Sequence, residues 1–399
     1  MTAKHLDILS EDFRPDSAEV IEAREANWYA TTPLGYAVLR YAEADELVAD
    51  RHLRQSLMDF FLTEGITDGL VYDFMRQFVA TAEGAHHTRL RRLVSKAFTR
   101  RSVDRLRPRM REICHELLDG FTATGRGDFQ RDFADPFSAR IICELLGIPE
   151  DRHEAFRGWA NDLGLVVSSF VVEYRERIEI ALAGLRDAVQ ELLPLRRADP
   201  QPDLLTALLE AEEEGDRLTS EELRVMVTGL VLAGQDATQH QLGRAMVTFL
   251  DRPDQWQLLA ERPELGEDAV EEFMRVAPTA TAITRVADEE FVYRDLRIRK
   301  GEFVTILLDP VHTDPAVYGS AEFDITQRRH PHLTFGGGPH YCLGAVLARA
   351  ELTEALPILA DRLRDIEPDG RTAWRPAIGI TGPSSLPIRF TPSPVRASA

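Results

Sequence analysis

From position 220 to position 250 apolar side chains return at three- and four-residue intervals, the spacing of one helical face. Thr219 and Glu222 form a T-x-x-E capping box at the start, and Asp251-Arg-Pro253 ends the stretch. At ~1.5 Å per residue the predicted helix is roughly 45 Å long, enough to cross a whole domain. Helical periodicity also predicts helices over 89–123 (broken near Pro108), 136–145, 151–162, 174–195, 203–214, 266–275 and 345–362. Strand-like segments cover 282–287, 291–293, 303–308 and 385–390. No β-α-β alternation suggests a parallel sheet, so the fold class is mainly α with a minor β region. The acidic run 210–216 is expected to be an exposed loop, and the proline-rich tail after Leu386 a short strand followed by disorder.

Composition narrows the picture without changing it. With 399 residues, 44% of them apolar and 28% charged, the chain has the make-up of a globular protein, and no internal repeat or linker divides it. A single domain over 1–399 is expected, with about 1–15 and 392–399 flexible. The N-terminus has no apolar leader, and no apolar run approaches the ~20 residues of a spanning helix. Cys114, Cys143 and Cys342 are far apart, which fits a reducing, cytoplasmic setting and no disulfide framework. A net charge of −19 argues against nucleic acid as a partner. One stretch opposes that average: ten basic residues and a single acid lie between Arg89 and Arg111. It reads as a solvated helix face or as a docking patch for an acidic partner.

The candidate chemistry gathers at HLTFGGGPHYCLGA, where Gly336, Gly337, Gly338 and Gly344 surround Cys342. Cys114 and Cys143 lie on apolar helix faces and read as small buried hydrophobes. Cys342 instead precedes a helical stretch, and a helix N-terminus favours thiolate. Such a thiolate is either a nucleophile, with His340 as its base, or the single axial ligand of a haem. The nucleophile reading leaves the glycines without a purpose. The haem reading uses them for close approach of a macrocycle and assigns His340 to a propionate.

The pattern F-x-x-G-x-x-x-C-x-G, here Phe335, Gly338, Cys342 and Gly344, resembles the haem-binding signature of the cytochrome P-450 family. That resemblance implies a triangular, helix-rich single domain, haem b as cofactor, Cys342 as the iron ligand, and Phe335, Gly336 and Gly344 against the haem. Glu272 and Arg275 are similar to the family's structural E-x-x-R pair. His87, Arg91, Arg285 and His340 match its propionate-binding positions. Ala233-Gly-Gln-Asp-Ala-Thr238 resembles the oxygen-handling segment: Gly234 gives dioxygen room, and Asp236 is the acid. Ala237 stands where the family has threonine. Thr238 follows, but one step along a helix turns its hydroxyl by ~100°. Two further departures are Phe323-Asp-Ile-Thr-Gln327, where Arg328 or Arg329 replaces the expected arginine, and Val311-His-Thr-Asp-Pro315, which keeps only the end of A-N-R-D-P.

The resemblance also implies a monooxygenase of soluble bacterial type, fed by ferredoxin and ferredoxin reductase, with the basic stretch after Arg89 as the docking patch. Substrate contacts are expected from Phe60, Phe61, Tyr72, Phe74 and Phe78, from 163–172, Met226, Leu230, 279–283 and 379–384. Their apolar bulk suggests a lipophilic or aromatic natural-product-sized molecule. Ala237 leaves open a coupling or cyclising oxidation without oxygen insertion. A third alternative is a haem binder that does no catalysis.

Overall fold

The computed structural model describes residues 3–10, 12–167, 171–213, 216–329, 331–375 and 379–393. Its axis is the helix Ser220–Leu250, started by the reciprocal box in which Glu222 N donates to Thr219 Oγ1 (3.2 Å) and Thr219 N to Glu222 Oε2 (2.8 Å). Helices Asp135–Leu146, His153–Leu163 and Arg175–Ala198 pack around it. With neighbours on several sides the long helix is buried nearly all round, its polar residues Gln235, Asp236, Gln239, His240 and Gln241 included, which fits a core helix rather than a surface one. Gly266–Val276 and Ala345–Arg362 lie close to the predicted bounds.

The basic segment breaks in a different place from the one expected. It forms Gly84–Ala97 and Arg100–Phe121, and Pro108 lies inside the second helix. Thr99 starts that helix with a capping box to Ser102, so the break falls where a cap exists. The predicted helix over 203–214 stops at Glu210 and gives way to a small hairpin, Glu212–Glu213 with Asp216–Arg217. The acidic run is therefore not a simple loop; 214 and 215 lie outside the described residues. The tail forms the strand Pro387–Pro392, and 394–399 also lie outside.

A five-stranded mixed sheet flanks the helices in the order Tyr29–Thr32, Gly35–Val38, Phe303–Leu307, Ala282–Ala287, Leu53–Gln55. Three of these strands are only three or four residues long, too short to show a period in sequence. Gly35–Val38 pairs in parallel with Phe303–Ile306, so one parallel ladder does occur. Gly35 permits it, because a Cβ there would lie 2.2 Å from the Phe303 carbonyl oxygen. Side chains alternate across the sheet. Val304 and Ile306 join Trp28, Val38 and Tyr41 in one cluster, while Leu307 joins Leu6, Ile8 and Phe13 in another. The start of the chain, expected to be flexible, is thus packed on the sheet. Leu6 N donates to Thr31 O and Thr31 N to Lys4 O, each at 2.9 Å.

The segment leading to the cysteine loop hangs on a buried ion cluster. Arg275 grips Glu272 with two bonds (2.8 and 2.7 Å) and donates to His312 O at 2.7 Å. Both side chains of the pair are 1% exposed. Arg329, not Arg328, supplies the missing third member: its Nε donates to Glu272 Oε1 (3.1 Å), and its other nitrogens bind the carbonyls of Tyr318, Ser320 and Glu322. Arg328 pairs with Asp268 at the surface. His312 stands between strongly fixed partners. Its Nε2 accepts from Leu333 N, so its proton sits on Nδ1 and points at Arg275 O, 3.0 Å away. Arg329→Ala should cost about 1–3 kcal/mol in urea unfolding, whereas Arg328→Ala should stay within about 0.5 kcal/mol. Equal losses would remove the distinction.

Candidate active site

A cavity of about 1060 Å³ lies between the long helix, the sheet and the cysteine loop. Cys342, Gly336, His340 and Gly344 form part of its lining. Cys342 N donates to Phe335 O at 2.9 Å, which folds the loop back on itself. The thiol opens onto the cavity and is enclosed by protein on its other sides. Burial raises its pKa; the amides of Gly344 and Ala345 and the cations Arg91 and Arg349 pull it back without prevailing. The expectation that a helix start alone yields thiolate is therefore corrected: here desolvation of the anion outweighs the helix end. A metal bound to the sulfur would reverse the balance.

The glycines divide their work. Gly336, with φ +72°, and Gly344 border the cavity. A Cβ on Gly337 would meet Val48 Cγ1 at 2.5 Å, and one on Gly338 would meet Ala49 Cβ at 3.0 Å. Those two allow the loop to pack on the residues before the strand Leu53–Gln55, a role separate from approach of a macrocycle. Phe335 packs beneath Arg349, whose guanidinium carbon is 4.3 Å from the ring centroid.

The structure brings His87, Arg91, Arg285 and His340 to the same cavity. The two imidazole rings are 4.3 Å apart. Arg91 donates to Tyr341 O and Arg285 to Thr284 O at 3.2 Å, and among the described residues neither has a carboxylate at ion-pair distance. Burial lowers the pKa of both guanidinium groups. Burial, then the charge of His340, pushes His87 down to about 4. A buried and a half-buried cation, neither at ion-pair distance from a carboxylate among the described residues, stand beside two imidazoles and make a cradle for a dianion. Among the described residues no group of three His, Cys, Asp or Glu side chains is placed to hold a metal. The set fits a flat macrocycle carrying two carboxylates, with one sulfur as the protein's ligand to iron.

On the long helix Leu230, Ala233 and Gly234 face the cavity. A Cβ on Gly234 would lie 2.6 Å from Ile142 Cδ1, so this glycine serves the close approach of the helix Asp135–Leu146. That corrects its assignment to dioxygen alone. Asp236 and Thr238 are buried away from the cavity lining, as the 100° turn requires of Thr238. Asp236 Oδ1 accepts from Arg375 Nη1 at 2.6 Å, and Arg375 Nη2 donates to Gly164 O at 3.1 Å. The same Nη1 is 2.7 Å from His240 Nε2, which must accept; His240 then carries its proton on Nδ1 and donates to Pro383 O at 3.1 Å. Asp236 Oδ2 is buried without a hydrogen-bond partner. Sequence reasoning missed Arg375 because it lies 139 residues from Asp236 in a segment without periodicity.

Comparison with known proteins decides what this arrangement is. The family model described as cytochrome P-450 matches residues 155–364. The chain is 39% identical to the luteothin monooxygenase of Streptomyces thioluteus over 390 residues, covering 96% of this chain and 95% of that one. It is 39% identical over 309 residues to the mycinamicin IV hydroxylase/epoxidase of Micromonospora griseorubida, covering 76% and 77%. A solved cytochrome P-450 from Chondromyces apiculatus superposes with a TM-score of 0.85 at 29% identity, over 98% of this chain and all of that one. The chain belongs to the cytochrome P-450 family.

This cytochrome P-450 is an enzyme, an oxidoreductase of the monooxygenase type, which removes the non-catalytic alternative. Among the described residues no helix is long and apolar enough to cross a membrane. Phe60, Phe78, Leu230, Ala280, Ile283 and Ile380 line the cavity as expected. Phe61, Phe74 and Met226 are instead buried in the core, with Tyr72 packed against it. Of 163–172, Val167 reaches the cavity and 168–170 lie outside the described residues. The basic stretch is thinner than its count implied. Arg89 pairs with Asp216 and Glu222, Arg107 and Arg111 with Glu354, and Arg109 with Glu116 and Glu144. Arg92, Lys96, Arg100, Arg101 and Arg105 remain exposed.

The Asp236–Arg375 pair is 5% and 11% exposed. Arg375→Met should therefore cost about 3–5 kcal/mol in urea unfolding by stranding the carboxylate. Adding Asp236→Asn should recover part of the loss. Strictly additive costs would show that the two side chains are not coupled.

Proposed function

We propose that this cytochrome P-450 binds haem b through Cys342 and hydroxylates a lipophilic natural-product molecule, with two electrons delivered by ferredoxin and its reductase in the cytoplasm. The observation that carries this reading is the pair of arginines, Arg285 buried and Arg91 half-buried, without carboxylate partners among the described residues in the cavity that holds Cys342. The relatives named as a luteothin monooxygenase and a mycinamicin hydroxylase/epoxidase support a natural product as substrate. The exposed cations from Arg92 to Arg105 support an acidic electron donor.

Haem, when bound, supplies the activation of dioxygen that lets an unreactive C–H bond be oxidised. The chain's residues do the rest. Arg91, Arg285, His87 and His340 would hold its carboxylates, with the two arginines as fixed positive charges and the imidazoles as hydrogen-bond donors. Phe78, Leu230 and Ile380 exclude water and hold the substrate by apolar contact. The overall change joins one oxygen atom of O2 to carbon and reduces the other to water with two electrons and two protons. Ala237 has no hydroxyl to pass those protons, and Asp236 is held by Arg375. Protons then come through ordered water or a substrate hydroxyl.

The same two features favour a second reading, a coupling or ring-closing oxidation that removes two hydrogens and inserts no oxygen. Product masses from a panel of lipophilic compounds, with ferredoxin, reductase and NADPH, separate the readings: one oxygen gained or two hydrogens lost. The purified chain should be red, and its reduced carbon monoxide complex should show sulfur ligation, which Cys342→Ala abolishes. Unchanged spectra in that variant would end the haem-thiolate reading. Ala237→Thr should leave turnover within about twofold if water or substrate carries the protons; a gain of about tenfold or more would overturn that route.

A further inference from the structure

The cavity that holds Cys342 is also lined by Ile8, Leu9, Ser10 and Leu34, from the first part of the chain. The sheet explains how. Phe303, Thr305 and Leu307 alternate onto one of its faces. Leu307 is covered there by Leu6, Ile8 and Phe13, while Phe303 and Thr305 line the cavity. The N-terminal segment therefore lies beside the cavity on one sheet face, and its edge becomes cavity wall.

That wall is built, not draped. Leu6 N is bonded to Thr31 O, Ser10 N to Asp7 O (3.2 Å) and Leu9 N to Asp7 Oδ1 (3.3 Å). Leu6 and Ile8 are 0% and 6% exposed, yet Leu9 between pinned neighbours is 54% exposed. A tied turn thus presents one apolar side chain at the opening. Ser10 and Glu64 line the cavity too and are exposed, whereas its cationic side chains, Arg91 and Arg285, belong to the propionate cradle.

We infer that Leu9 is a specificity-determining residue: it contacts the remote end of an elongated apolar substrate whose reacting end lies at the bound haem. That remote end is neutral, hydroxylated or basic, because Glu64 in the lining repels a carboxylate and, among the described lining residues, the only arginines or lysines are Arg91 and Arg285 of the cradle. The inference rests on the haem-thiolate reading, and the test separates the two. 1-Butylimidazole and 1-dodecylimidazole both bind ferric haem through nitrogen and red-shift its main absorption band; they differ only in the length of apolar chain available to the remote wall, where the inference places Leu9. In the holoenzyme, Leu9→Ala should weaken 1-dodecylimidazole by about three- to tenfold through lost apolar contact. Leu9→Asp should weaken it by more than about tenfold, since a charge then meets the chain end. Both variants should bind 1-butylimidazole within about twofold of the parent, which also shows that the site is intact. Equal weakening of both ligands, or no change in either, overturns the inference. A parent protein that gives no red shift with 1-butylimidazole overturns the haem reading and this inference with it.

Discussion

A guanidinium drawn out of water without a carboxylate is costly, and this chain sets two of them, the buried Arg285 and the half-buried Arg91, on one cavity wall. Much else follows from that constraint. Among the described residues each guanidinium donates only to a backbone carbonyl, so an anion in the cavity would offset their charge, as the proposed dianionic ligand does. The helix Gly84–Ala97 brings His87 and Arg91 on one face, the strand Ala282–Ala287 brings Arg285, and the cysteine loop brings His340. Three elements far apart in sequence thus converge on one cavity, and a ligand bound there would help hold them together.

The cysteine loop has little structure of its own, and its position depends on what lies behind it. The Glu272–Arg275–Arg329 cluster ties the helix Gly266–Val276 to the segment that runs into the loop. Thr334 Oγ1 adds a bond to Met274 O at 2.8 Å. Gly337 and Gly338 let the loop press against Val48 and Ala49. In the proposed role of iron ligand the sulfur would need this kind of support from a rigid frame.

Above the cysteine the chain departs most from its family. The long helix offers the cavity only Leu230, Ala233 and Gly234 among its lining residues, so its own side chains supply no hydroxyl there. Its carboxylate, Asp236, is instead engaged in a buried network with Arg375 and His240. Pro383 O and Gly164 O anchor that network to the C-terminal turn and to the end of the helix His153–Leu163. The acid is therefore coupled mechanically to segments adjoining the substrate's walls, and its freedom depends on how those segments sit.

The long helix, its cap and its end were legible because each signal lies within a few residues. So was the cysteine motif, where spacing alone relates Phe335, Gly338, Cys342 and Gly344. The strands of three and four residues were not, because a period of two needs more turns of the pattern to stand out. Nor could sequence choose between Arg328 and Arg329, since both follow the same segment and only the backbone path carries Arg329 to Glu272. The packed N-terminus was misjudged because Leu6, Ile8 and Phe13 find their partners on strands far along the chain. By itself the sequence determined the helical frame, the single reactive sulfur and the kinds of charge around it, all properties of neighbours along the chain. Tertiary structure alone decided that Arg375 would hold Asp236, that Gly234 would face Ile142 and that Leu9 would stand at the cavity opening. Those are meetings between segments tens to hundreds of residues apart, and no local pattern of side chains specifies where two such segments cross.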